Sequence, residues 1–155
     1  MNILDEVKIL NENKLLRTNE EIEKFECAIE NILSNKDYKD IKHLCTGFDD
    51  NTEDDEVMFN LIHAIESYDR ITDIKLTLKE FIDSIPSVYS YAKEWIKIMN
   101  KRILNDENSL EEYIKIAENC DAELKLILIE LMNEVKKDNP ERFFQPVNKF
   151  LTYIK

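Results

Sequence analysis

The chain has 155 residues, a formal net charge of −12, one glycine and three prolines, with 43% hydrophobic and 35% charged residues. Its length favours one domain over residues 1–155, with enough apolar content for a core, so a disordered acidic tail is excluded. So few turn residues argue against a β-rich protein, no apolar run approaches the roughly 18 residues of a membrane span, and the acidity disfavours nucleic acid.

Ile3, Leu4, Val7 and Leu10 share a stripe that predicts a first helix over about Asn2 to Leu16. Thr18 has the character of an N-cap, with Glu20, Glu21 and Glu23 in the turn that follows, so a second helix is expected to run to about Leu33. A short third helix is expected over Asp37–Cys45. Gly47 follows where a C-terminal cap with positive φ is wanted. Thr52-x-x-Asp55 resembles a capping box opening a fourth helix. Ile71 to Ile85 reads as the fifth, and Pro86 suits the first turn of a sixth ending near Leu104.

Asn108 or Ser109 is placed to cap a seventh helix through Tyr113 and Ile116. The eighth, about Asp121 to Lys137, is apolar on two sides. Leu124, Ile127, Leu128, Leu131, Met132 and Val135 oppose Ala122, Leu126 and Ile129, which implies a helix sandwiched between layers. Pro140 opens a last segment, interrupted or kinked by Pro146. The expected fold is therefore all-α: an irregular, α-solenoid-like stack of antiparallel pairs with eight or nine helices, a compact bundle being the second choice.

Charge is unevenly spread. Residues 1–80 carry 20 acids against 10 bases, and residues 81–155 carry 13 against 11. Six carboxylates lie between Asp49 and Glu56, just before the apolar arc of Val57, Met58, Leu61, Ile62 and Ile65. Phe59, His63 and Glu66 fall on the other side of that helix. Together with Asp49, Asp50, Glu53 and Asp54 they are the candidate contact residues, one ring supplying burial and the carboxylates supplying orientation and encounter rate. The competing reading is a capped helix start in a solvated loop, with a structural histidine.

Catalysis and cofactors find little support. Asp49, Asn51, Glu53 and Asp55 alternate as in a calcium loop, but the sixth position is Asp54 and not glycine, and the twelfth is Asn60 and not glutamate. One glycine excludes a phosphate-binding loop, and no GxSxG, HExxH or CxxC occurs. His43 and Cys45, two apart on a helix, diverge. No catalytic residue, metal or cofactor is expected. Arg102 lies within an apolar arc, where it must reach outward or pair with Glu66, Asp69 or Asp106. Three scattered cysteines and the absence of a leader suit reduced thiols in the cytoplasm.

The segment from Phe48 to Asp69, with its Glu56-Val57-Met58-x-x-Leu61-Ile62-His63-x-Ile65-Glu66-Ser67 string, resembles the central motif of the immunity protein 30 family of bacterial polymorphic-toxin systems. Glu94-Trp95 and Arg102-Ile103-Leu104-Asn105-Asp106 resemble a second block, the two covering about residues 40–110. The resemblance implies a small, helical, non-enzymatic cytoplasmic protein that neutralises a cognate toxin domain. A cationic toxin such as a basic nuclease or deaminase fits the acidity. A helical adaptor or scaffold is the alternative, and a metal-dependent hydrolase a more distant one.

Overall fold

The computed structural model describes residues 2–154. Among them are eight α-helices and no strand, so the protein is all-α. The chain divides into two compact units, Met1–Lys93 and Glu94–Lys155.

In the first unit, α1 (Ile3–Glu12) is capped by Asn2 and α2 (Asn19–Ser34) by Thr18, whose hydroxyl accepts the Glu21 amide. A 3₁₀ turn, Tyr38–Asp40, leads into α3 (Ile41–Cys45), and Asp37 caps that turn. α4 (Asp55–Ser67) is followed by a second 3₁₀ turn, Tyr68–Arg70, and by α5 (Ile74–Leu104). α1 packs on α2, α2 on α4, and α3 on both α1 and α4. Leu10, Phe25, Ile32, Leu44, Phe48, Met58, Leu61 and Phe81 fill the interior of this unit.

Three local expectations are corrected here. Gly47 does not occupy the left-handed region: no glycine has positive φ, and Leu16 and Lys36 do, each at 53°. Lys36 follows the α2 cap residue Asn35, so a lysine takes the left-handed role at that helix end. What Gly47 provides is a close approach. A Cβ built on it would lie 2.8 Å from Leu10 Cδ2 and 3.1 Å from the Leu44 carbonyl oxygen. The start of α4 is also different: Asp54, not Thr52, is the cap and accepts the Val57 amide at 3.0 Å. A carboxylate directly before the first turn satisfies that amide without the reach that Thr52 would need.

Pro86 opens no new helix. The chain stays helical through it and departs from helical geometry at Ala92 (φ −131°, ψ 19°). Pro86 is exposed, and within the helix it lacks the amide that would donate to the carbonyl of the buried Ile82.

The second unit contains the end of α5 with α6 (Glu107–Glu118), α7 (Ala122–Asp138) and α8 (Pro140–Tyr153). Asp106 caps α6 by accepting both the amide (3.0 Å) and the hydroxyl (2.6 Å) of Ser109, so Ser109 lies inside the helix it was expected to open. Asp121 caps α7 and Asn139 caps α8, with Pro140 at the first helical position. α8 continues through Pro146. α7 packs on α8, and α6 on both.

α7 buries one face fully, and of the opposite side only Ile129 is half-buried. Leu124, Leu128, Leu131, Met132 and Val135 are buried, whereas Leu126 is 68% exposed and Ala122 is exposed. The second apolar side was read from too few residues to make a layer.

Asn100 and Lys97 are among the polar side chains buried in this unit. Asn100 is fully buried, donates to the Ile96 carbonyl (2.8 Å) and accepts from the Tyr113 hydroxyl (2.6 Å). Burial pushes the Tyr113 phenol well above its usual range, so it remains a donor. Lys97, with 7% of its side chain exposed, lies 2.8 Å from Asp138, 3.5 Å from Glu94 and 3.8 Å from Glu134. Burial opposes that charge, but the Asp138 hydrogen bond and the surrounding carboxylates outweigh it and raise the lysine's pKa.

Gly47→Ala is expected to destabilise the protein by about 1–2 kcal/mol. Overpacking against Leu10 costs about 1–3 kcal/mol, and the stiffer unfolded chain returns about 0.4–1 kcal/mol. Urea titration measures the balance, and a midpoint at or above that of the parent contradicts it. Tyr113→Phe leaves the buried Asn100 oxygen without its donor and is expected to cost about 1–3 kcal/mol in the same titration. A change below about 0.5 kcal/mol would mean the pair contributes little.

Candidate functional site

The acidic segment 49–56 is fastened by its backbone. The Asp50 amide donates to the Tyr91 carbonyl (2.9 Å), one residue before the break in α5, and the Glu53 amide donates to the Leu15 carbonyl (2.8 Å). The left-handed turn at Leu16, which is buried, lies next to that acceptor. Within the segment, the Thr52 amide bonds the Asp49 carbonyl, and the Asn51 amide bonds Asp49 Oδ1 at 2.8 Å. With the main chain so held, Asp50, Glu53, Asp55 and Glu56 are exposed.

Asp49 has a different role. Its side chain is 13% exposed and lies 3.9 Å from the Lys14 ammonium. Lys14 also donates to Asn11 Oδ1 and to the Thr46 carbonyl, each at 3.2 Å, and lies 4.1 Å above the centre of the Tyr91 ring. Burial lowers the Lys14 pKa, and Asp49 opposes that shift. Burial likewise raises the Tyr91 phenol, with Asp49 adding to it. Asp49 therefore joins an internal cluster while its neighbours face outward. Asp54 is half-buried and engaged as the α4 cap.

Along α4, the other candidates form a contiguous strip. The Phe59 and His63 rings are 5.6 Å apart at 51°, and His63 Nδ1 is 4.0 Å from Glu66 Oε1. Phe59 is half-buried and His63 exposed. Twelve residues separate Asp54 from Glu66, about 18 Å at 1.5 Å per residue. The loop carboxylates and the strip are thus two ends of one helix rather than one cluster. Both fit within a standard interface of about 800 Å² per partner.

Sequence reasoning overlooked α2. Asn60 on α4 donates to Glu26 on α2 at 3.2 Å, and Glu26, Ile29, Glu30 and Asn60 line a groove between the two helices. The spacing of Glu23, Glu26 and Glu30 on one helical face was the available signal. Of the groups tied to the Arg102 expectation, Arg102 is exposed, Asp69 accepts from Thr77 at 2.5 Å, and Asp106 caps α6. Burial raises the Asp69 pKa; the Thr77 hydrogen bond opposes this and Glu66 adds to it.

Among the described residues, no group of three or more His, Cys, Asp and Glu is placed to hold a metal ion. No described helix is long and apolar enough to cross a membrane. By unit, residues 1–93 carry 21 acids against 11 bases, net −10, and residues 94–155 carry 12 against 10, net −2.

The family described as Immunity protein 30 matches residues 12–113, and the chain belongs to that family. The match covers both blocks in which the resemblance was seen and extends well toward the N-terminus of them. Neither the curated proteins nor the solved structures contain a match.

The Lys14–Asp49 pair is expected to show coupling. In a double-mutant cycle of Lys14→Met and Asp49→Asn, denaturation should give an interaction energy of about 0.5–1.5 kcal/mol. Additivity of the pair would show that Lys14 does not depend on Asp49.

Proposed function

We propose that this immunity protein binds and neutralises a cognate antibacterial toxin domain by stoichiometric, electrostatically assisted occlusion. Membership of the Immunity protein 30 family supports a toxin partner. The observation that carries the finer reading is the net charge of −10 on residues 1–93, with exposed carboxylates on a segment whose backbone is already ordered. Such a surface draws in a cationic partner and loses little loop entropy on docking. A basic nuclease, or another toxin acting on nucleic acid, has the complementary charge. An acidic cover over its cleft or nucleic-acid track would block it without any chemistry.

In this reading Asp50 and Glu53 steer the encounter, and Phe59, His63 and Glu66 contact the toxin. Asp49 and Asp54 support the surface from within through Lys14 and the α4 start.

Asp50→Lys with Glu53→Lys tests the role of charge while leaving both backbone anchors in place. At low salt the association rate should fall roughly tenfold or more, its salt dependence should flatten, and the thermal melt should stay put. Stopped-flow binding to the toxin, alongside a toxicity-rescue assay, measures this. Association as fast as that of the parent protein would remove the electrostatic part of the proposal.

A further inference from the structure

Tyr68 stands where α4 passes into the second 3₁₀ turn, and it is 1% exposed. Among the described residues its buried hydroxyl has no hydrogen-bond partner. Folded chains rarely keep a buried polar group unpaired, because its lost solvation is then replaced by nothing. Burial also pushes the phenol well above its usual range, with Asp40 and then Asp37 adding to the effect, so the group keeps its proton to donate.

The two carboxylates belong to the first 3₁₀ turn and its cap. Asp40 is 5% exposed, and its Oδ2 accepts from the Asn35 side-chain amide at 2.9 Å. It directly precedes α3 but makes no side-chain cap to that helix. Asp37 is half-buried, and its Oδ1 accepts the Lys39 amide at 3.0 Å. A carboxylate has about four acceptor positions, so each has capacity for another donor. A metal cation or an ammonium group would satisfy the carboxylates but offers no acceptor to the phenol O–H. An anion would accept from the phenol but be repelled by the carboxylates. A water molecule serves both, accepting from one group and donating to two. Those are the roughly three hydrogen bonds usual for a buried water.

We propose that Tyr68, Asp40 and Asp37 form an internal water site, the water accepting from the Tyr68 hydroxyl and donating to the two carboxylates. The water ties the turn before α3 to the end of α4, the helix that carries Phe59, His63 and Glu66. The site is independent of the toxin reading.

The test compares the full chain with Tyr68→Phe, which removes the hydroxyl and keeps the ring. Oxygen-17 relaxation dispersion of the solvent detects water by its residence time and not by proton exchange. The parent protein should hold one more long-lived water than the variant. In urea titration the variant's unfolding equilibrium constant should be larger by roughly fivefold or more. Equal water counts overturn the site, and with a destabilised variant they mean that Tyr68 bonds a carboxylate directly. A variant as stable as the parent overturns it too, since the hydroxyl would then be tolerated unpaired. A crystal structure of the parent decides the matter even if the variant does not fold. A water within about 3.2 Å of the Tyr68 hydroxyl and of the Asp40 carboxylate supports the site. A direct bond between the two groups, or a metal ion between them, overturns it.

Discussion

One ammonium group organises the first unit. Lys14 follows α1 and reaches into a half-buried site bounded by Asn11, the Thr46 carbonyl, Asp49 and the Tyr91 ring. Each contact belongs to a different part of the chain: α1, the end of α3, the acidic segment and α5. A buried cation is costly unless its hydrogen bonds and counter-charge are supplied, and here four separate segments must be in register to supply them. The lowered Lys14 pKa records the residual burial cost, with Asp49 acting against it. The position of the acidic segment is thereby tied to the fold of the whole unit.

That linkage divides the acidic run into two kinds of residue. Asp49 and Asp54 are used inward, one as a counter-ion and one as a helix cap. Asp50, Glu53, Asp55 and Glu56 face water, carried on amides bound to Tyr91 and Leu15. A loop held by main-chain hydrogen bonds can present its carboxylates in one arrangement, which gives electrostatic steering a defined direction. The break at Ala92 adjoins the Tyr91 carbonyl that accepts from Asp50, so the irregular point of α5 and the anchoring of the loop occur together.

In the second unit the polar interior has a structural cast. Asn100 and Tyr113 satisfy each other in the core, and Lys97 is surrounded by three carboxylates. This unit is nearly neutral, at −2. Asp106 and Asp121 serve as helix caps and Glu94, Glu134 and Asp138 surround Lys97, and because ten bases balance twelve acids here, most of the net negative charge falls on residues 1–93.

The helices were legible from sequence because their signals are local. A hydrophobic repeat near 3.6 and a threonine or aspartate before it fix a helix whatever packs on it, as Thr18, Asp121 and Pro140 illustrate. The acidic run and the Phe59–His63–Glu66 strip were legible for the same reason, being contiguous or one helical turn apart. Long-range packing decided the rest. Gly47 is required by Leu10, 37 positions away, and not by its own φ, so no local rule identifies the reason. Pro86 carries a local break signal, yet the chain bends instead at Ala92, an alanine with no such signal. Asp49 and Asp50 are chemically identical neighbours. Only the placement of Lys14 and Tyr91 around one of them makes it internal and leaves the other at the surface, because burial and charge pairing depend on which segments converge, and convergence is a property of the folded chain.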